Sequence, residues 1–377
     1  MIRLLKSRRG QIRGIDFSLA MIIFVLTMTQ TLLLTNIFIE SSLSYQETSE
    51  RQAEANSIAN AIIHSSGSYL GSDWGIVPTP TLITSTWTFG LAGDQGALNS
   101  FKVGRLSSTS LSNFYLSYND ILTGSDYSRD FKLELINPVN VLITVSDDGA
   151  GTVTVQGNVT RDYELLSQVD VAIFVIEQTN FASQSNLVQT DTSGSFSVAF
   201  NPVNFATSDY FEVIAITKYS DSIQDSMRVL HTKSGGVTPS ISRISIFDSQ
   251  NTTFGYSVRV NITQNDVIPS NVNFLALYIG VNGETVKQNI DLPIASADNT
   301  WSSNMLIPQD GLVYFVSQEQ TAGGDFVSSM VFPVALDGKN SDIVQPSTII
   351  DANLTIVVKS IIIRGLIMDL RLTTWEQ

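Results

Sequence analysis

The chain of 377 residues contains no cysteine, so no disulfide staple and no thiolate metal site can form. Each domain must be held by its own core. Histidine is almost as scarce: His64 and His231 are the only imidazoles, which argues against a hydrolytic triad or a multi-histidine metal centre. G-x-S-x-G, P-loop and H-E-x-x-H patterns are all missing, and Glu134 and Glu164 have no companion that suggests acid–base work. An enzyme is not expected, and neither is a cofactor. Only 15% of residues are charged, and the balance is acidic, with 21 Lys and Arg against 35 Asp and Glu. Such a surface repels nucleic acid rather than binding it.

The cations are unevenly placed. Arg3, Lys6, Arg8, Arg9 and Arg13 all precede Ile15, and no acid does; the rest of the chain carries 16 cations against 35 acids. Directly after them, Ile15 to Ile39 is a long apolar run. As a helix it would reach about 38 Å, more than a bilayer core requires, and it is too long for the apolar region of a secretory signal. The basic flank places the N-terminus in the cytoplasm and everything beyond Glu40 outside.

The pattern then becomes amphipathic. Good helix formers fill Ser44 to Ile63, and Ile58, Ala59, Ile62 and Ile63 share one side. This predicts one helix over 15–65 behind a basic leader, 1–14. Residues 66–135 are rich in Gly, Ser and Thr. Period-two stretches at Thr81 to Phe89 and Phe131 to Leu135 predict strands, with a short helix across Leu98 to Leu106.

From 136 to 345 the chain reads as strands punctuated by turns, among them Asp147-Asp148-Gly149, Ser193-Gly194 and Asn282-Gly283. An internal repeat runs through it at an offset of 103. Val155 to Thr160 matches Val258 to Thr263, Ser167 to Asp170 matches Ser270 to Asn273, and Ser226-Met227 matches Ser329-Met330, with insertions that balance before the last match. A unit of this size with some seven strands fits an immunoglobulin-like sandwich, so two are expected in tandem, 136–240 and 241–345, as an outward stalk. The last stretch, 346–377, reads as a hairpin broken at Gly365 that returns to an existing sheet; Lys359, Arg364, Asp369 and Arg371 argue against a second membrane span. The fold class expected is mainly β behind a long N-terminal helix, with a membrane-proximal β module, 66–135, completed by 346–377.

The junction Arg8-Arg9-Gly10-Gln11-Ile12-Arg13-Gly14-Ile15-Asp16-Phe17 resembles the class III signal peptide of archaeal type IV pilins and archaellins. In that family a prepilin-type peptidase cuts after a glycine on the cytoplasmic side of an intact apolar helix. The resemblance implies processing between Gly10 and Gln11, or alternatively between Gly14 and Ile15. It also implies that Asp16 serves as the carboxylate that sets subunit register, although it falls sixth or second after the cut where the family has its acid fifth. Trp74-Gly75, Phe89 to Ala92, Lys102 to Leu106, Asp130-Phe131 and Leu370 to Glu376 are similar to a module that follows the helix in many archaeal pilin-like surface proteins.

The implied partners are the lipid bilayer, the peptidase, other pilin subunits with their assembly platform, and an extracellular ligand. Four sequons, at Asn158, Asn251, Asn261 and Asn353, are candidate glycan acceptors on an exported chain. The Asp147-Asp148 and Asp120/Asp126 pairs offer calcium ligands but lack the spacing of a calcium loop, and solvated turns are the simpler reading. A pilin-like surface subunit or adhesin is therefore expected, with a membrane-anchored binding protein that never polymerises as the alternative.

Overall fold

The computed structural model describes residues 2–93, 96–106, 115–123, 130–241, 243–252, 255–263, 271–280, 282–290, 300–308, 310–321, 324–332, 341–344 and 354–375; for 2–16, 76, 123, 241, 243–252, 255–263, 271–272, 290, 300–305, 320–321 and 341–344 the backbone alone is described. The fold is mainly β behind one long N-terminal helix. The chain divides into two units, Met1–Glu54 and Ala55–Gln377.

The first unit is helix throughout its described length. It belongs to α1, Ile2–His64, whose helical backbone begins inside the basic leader rather than at Ile15. Between Phe17 and Leu43 apolar side chains are exposed on every side. Threonines in this stretch bond their own helix: Thr27 Oγ1 donates to Ile23 O at 2.7 Å, Thr31 to Thr27 O at 2.8 Å and Thr35 to Thr31 O at 2.7 Å. Their hydroxyls are thereby satisfied without water.

The second unit opens with the end of α1, where Ala55, Ile58, Ala59, Ile62 and Ile63 are buried, as the amphipathic pattern requires. Around them fold two short strands, β1 (Ser68–Tyr69) and β2 (Trp87–Thr88), and three short helices, α2 (Thr79–Leu82), α3 (Ser100–Gly104) and α4 (Tyr118–Thr123). The alternation over Thr81 to Phe89 does not make a strand. Pro78 and Pro80 start a helical turn there, and only Trp87–Thr88 is extended. β3 (Asp130–Ile136) then crosses this core.

The first sandwich follows, built from β4 (Asn140–Asp147), β5 (Val153–Arg161), β6 (Glu164–Leu165), β7 (Asp170–Glu177), β8 (Ser183–Gln189), β9 (Ser195–Phe200), β10 (Tyr210–Ser220) and β11 (Ile223–Thr232). β4, β5 and β9 form one sheet, with β6 on the end of β5; the other sheet runs β11-β10-β7-β8. The second repeats the plan with β12 (Ser240–Ile241), β13 (Arg243–Thr252), β14 (Gly255–Thr263), β15 (Asn271–Ile279), β16 (Thr285–Ile290), β17 (Thr300–Ile307), β18 (Val313–Thr321) and β19 (Gly324–Phe332). There β13-β14-β17 matches β4-β5-β9, and β19-β18-β15-β16 matches β11-β10-β7-β8, with β12 added in parallel on β19. Both are immunoglobulin-like sandwiches.

Strand pairing fixes how the repeats correspond. Phe174 lies opposite Ile214 and Ile214 opposite Arg228; Leu277 lies opposite Tyr314 and Tyr314 opposite Val331. The offset is therefore 103 on β7 and β11 but 100 on β10, the balanced insertion that an ungapped comparison of sequences shows only at its two ends.

The sandwiches are not strung end to end as a stalk. The central strands of one sheet, β7 and β10, are buried on both faces. Val171, Ile173, Val175, Phe211, Val213 and Ala215 point into the first sandwich. Ala172, Phe174, Ile176, Ile214 and Ile216 belong instead to the cluster that holds Leu275, Leu277, Tyr314, Val316 and Val331 of the second. Face-to-face packing explains why β7 is an uninterrupted apolar run rather than an alternating one.

Reciprocal contacts mark the interface. Lys287 is the counterpart of Ser185, and Thr285 that of Ser183, by their positions opposite Leu277, Phe174, Ile279 and Ile176. Lys287 Nζ donates to Ser183 Oγ at 2.6 Å, and Ser185 Oγ meets Thr285 Oγ1 at 3.2 Å. Residue i of one repeat thus touches j of the other, and j touches i, the signature of a two-fold arrangement. Gln318 Nε2 bonds Gln178 O at 2.9 Å and Tyr210 Oη at 2.7 Å, and Gln178 Nε2 bonds Asp325 Oδ2 at 2.8 Å. On the first repeat's face, Arg228 Nε donates to Glu212 Oε1; burial pushes the Glu212 carboxyl up and the Arg228 charge opposes that.

The chain then returns to its starting core. β20 (Ser341–Val344), β21 (Thr355–Ile363) and β22 (Leu366–Trp375) join β3 in the order β20-β3-β22-β21. Both sandwiches are thus inserted between neighbouring strands of one sheet. The β21–β22 turn, Arg364 and Gly365, has φ of 50° and 74°, values suited to a two-residue hairpin.

Candidate functional site

Two features stand out, one in each unit. The first is the apolar stretch of α1. Phe17 is 70% exposed and Phe38 71%, and no described side chain from Phe17 to Leu43 is buried. An 18-residue window there has mean hydropathy 2.1, apolar and long enough to cross a membrane. Gln30 and Asn36 carry amides in the same stretch and make no hydrogen bond among the described residues. Gly10, Gln11, Gly14, Ile15 and Asp16 all lie on the helical backbone of α1.

The second is the hub where the second unit closes around the end of α1. Trp74 is fully buried, and its Nε1 donates to Gly90 O at 3.0 Å. Trp87 and Phe89 pack on it at 5.6 and 5.8 Å between ring centroids. Two cations flank it: Lys102 Nζ lies 5.5 Å and the Arg105 guanidinium 5.3 Å from the ring. α3 places both, because Asn99 Oδ1 caps its start by accepting from Phe101 N and Lys102 N.

Each cation ties distant loops together. Arg105 Nη1 donates to Trp74 O at 2.6 Å and Gly75 O at 3.2 Å, and Nη2 to Thr79 Oγ1 at 3.0 Å. Burial lowers its pKa to about 10, with the Asp73 charge acting against that, so it stays cationic at neutral pH. Lys102 Nζ donates to Ser66 O at 2.6 Å and lies 3.1 Å from Asp73 Oδ1. The last carbonyls near α1 are taken by backbone, with Leu91 N on Ile62 O at 2.8 Å and Ala92 N on Ser65 O at 2.9 Å. Gly67 and Gly90 permit this crossing, since a Cβ on Gly67 would lie 2.7 Å from Trp74 Nε1.

The remaining sequence candidates are scattered. Asn158 lies on β5, half-buried, opposite Leu142 and Ser195. Asn251 and Asn261 lie on β13 and β14, and Asn353 lies outside the described residues. Asp147 and Asp148 are already engaged, the first by β11 and the second by its own loop. Asp147 Oδ2 meets His231 Nε2 at 2.7 Å, while Asp148 Oδ1 accepts from the backbone of Ala150, Gly151 and Thr152. Asp120 Oδ2 accepts from Ser117 N and Oγ; Asp126 lies outside the described residues. Among the described residues no three His, Asp or Glu side chains converge. Asp73, Thr79 and Asn99 carry no sequence pattern of their own and are identified only by their contacts with Lys102 and Arg105.

No family model matches the sequence, and neither does any curated protein. Solved structures give remote matches. One is a 1.5-MDa bacterial ice-binding adhesin, 13% identical, TM-score 0.20, over 54% of this chain and 66% of that one. A second is a Ca2+-stabilized adhesin from an Antarctic bacterium that binds ice, 18% identical, TM-score 0.19, over 53% and 49%. A third is a tetra-tandem repeat from the extending region of a large adhesion protein, 16% identical, TM-score 0.22, over 59% and 51%. The chain spans from about half to just under two thirds of the length of these structures, and at such scores the likeness assigns neither family nor role.

Proposed function

We propose that this chain is a pilin-like cell-surface subunit or adhesin. In this reading α1 is held in the bilayer and then in a filament, and the paired sandwiches make extracellular contact. The carrying observation is the apolar sleeve of α1 from Phe17 to Leu43, exposed on every side. A helix that is apolar all round needs lipid or other helices around it. Gln30 and Asn36 favour helices over lipid alone, because an amide in hydrocarbon gains from a partner across a helix interface.

The basic leader and glycine at the start of α1 support processing by a prepilin-type peptidase, with Gly10–Gln11 preferred over Gly14–Ile15 and Asp16 as the assembly carboxylate. The sequons at Asn158, Asn251, Asn261 and Asn353 are proposed glycan acceptors on an outward-facing chain. No catalytic role is proposed.

Mass spectrometry of the membrane-extracted protein tests this. A mature chain beginning at Gln11 or Ile15, and its recovery in fibres sheared from cells, is the expected result. An intact leader with no sheared material overturns the pilin reading and leaves a membrane-anchored binding protein.

A further inference from the structure

The loops that follow α1 frame an open polar groove of about 410 Å³, within the size range of small-molecule sites, roughly 300–1,000 Å³. Its wall carries Ser72 and Asp73 from one loop and Asn99 and Lys102 from the start of α3, with glycines Gly71 and Gly93 between them. The two charges cancel, because Lys102 Nζ is 3.1 Å from Asp73 Oδ1. Among the described residues the lining is therefore close to neutral and gives no advantage to an anion or a cation.

The hydrogen-bonding groups are held in place, and each keeps capacity to spare. Asp73 Oδ1 accepts from Gly75 N at 2.8 Å and faces Lys102, while its second oxygen makes no hydrogen bond among the described residues. Asn99 Oδ1 is fixed by two backbone donors at 3.0 and 3.2 Å, while its Nδ2 makes none. The Lys102 ammonium has three donors; Ser66 O and Asp73 account for two. Ser72 Oγ is likewise without a partner among the described residues.

A fixed acceptor, two fixed donors and a hydroxyl around one neutral groove match a ligand whose neighbouring groups each donate and accept. Vicinal hydroxyls do this, and glycine walls let a ring come close to the backbone. We propose that this groove binds a neutral saccharide unit of hexose size. Asp73 Oδ2 accepts from one hydroxyl, and Asn99 Nδ2 and Lys102 Nζ donate to its neighbours. The assignment stands whether or not α1 polymerises.

The test uses the full chain in detergent and two sets of probes: free methyl hexosides (gluco, galacto, manno and N-acetylgluco) and oligosaccharides ending in the same units. Saturation-transfer NMR and calorimetry read binding. Asn99→Asp keeps the cap oxygen of α3 but removes the donor, and Ser72→Ala removes the hydroxyl. Each should weaken binding roughly five- to tenfold, with little change in the unfolding midpoint. Binding of the free hexosides points to soluble sugar as the source; binding confined to the oligosaccharides points to glycan chains. Either result upholds the site. Inertness toward both sets, or binding unchanged in Asn99→Asp, overturns it.

Discussion

Arg364 Nη2 donates to the Pro308 carbonyl at 2.6 Å, joining the last hairpin to the second sandwich across 56 positions of sequence. Its Nε donates to Gly311 O at 3.2 Å, and its guanidinium lies 4.5 Å from the Phe332 ring centroid. The start of β22 reaches the first sandwich, where Ile367 N donates to Ser222 O at 2.8 Å. The tip of this hairpin, from Arg364 to Ile367, therefore touches both inserted bodies.

Arg364→Ala is expected to cost about 2–4 kcal/mol, from two charge-assisted bonds and a stacked contact. Arg364→Lys should recover little, because an ammonium cannot reproduce the fork. Arg364→Gly should relieve the positive φ and still lose the clamp. Hydrogen exchange checks this: protection should fall at 310–314 in all three variants and persist along β3 and β22.

Glu212 and Arg228 form a pair on the sheet face that carries Ile214. Glu212→Ala leaves a buried guanidinium without this carboxylate and should cost about 3–5 kcal/mol, whereas Glu212→Leu with Arg228→Met should regain most of that. The pH dependence has a definite sign. The carboxyl is raised above its ordinary 4.5, so its contribution to stability is fully present below that pH and is lost as pH rises through the folded value. Urea titrations across pH 4 to 8 should show wild type losing ground to Glu212→Gln as pH rises; a constant difference would contradict this.

Gly90 and Gly71 should respond differently to the same methyl group. A Cβ on Gly90 would overlap the Ser65 carbonyl and lie 2.7 Å from Gly67 N. At Gly71 nothing lies within 4 Å, and only the φ of 83° opposes alanine. Gly90→Ala should cost about 3 kcal/mol and Gly71→Ala about 1–2. Thermal unfolding of the two variants gives the ranking directly.

Leu26→Lys with Leu33→Lys places two charges in the middle of the apolar sleeve, each costing about 2.5–3.5 kcal/mol if that sleeve lies in hydrocarbon. The doubly substituted chain should leave the membrane fraction on carbonate extraction, while the wild type should stay. Equal retention would mean that the sleeve is covered by something other than lipid.

Periodicity made the elements legible but not their partners. The apolar run of β7 marks a buried strand, yet nothing in Ala172, Phe174 or Ile176 says that their neighbours lie in the other repeat. The reciprocal Ser183–Lys287 and Ser185–Thr285 contacts are equally silent, being hydroxyls and an amine of the kind that usually face water. Trp74, Lys102 and Arg105 were visible as a loose pattern. That the two cations would be buried against one indole was not, because burial of a charge depends on carbonyls brought in from elsewhere. At Thr81 to Phe89 two prolines outweigh a short alternation, so the period-two pattern there does not mark a strand.

The insertion of both sandwiches between β3 and β20 has a mechanical consequence. A pull on the inserted bodies enters the sheet along the axis of β3, which is flanked by β20 on one side and β22 on the other. Seven residue pairs join β3 to β22 alone. Tension directed along those strands loads the cross-strand bonds together, in shear, rather than peeling them open one by one. A sheet strained in this way resists sudden tugs well.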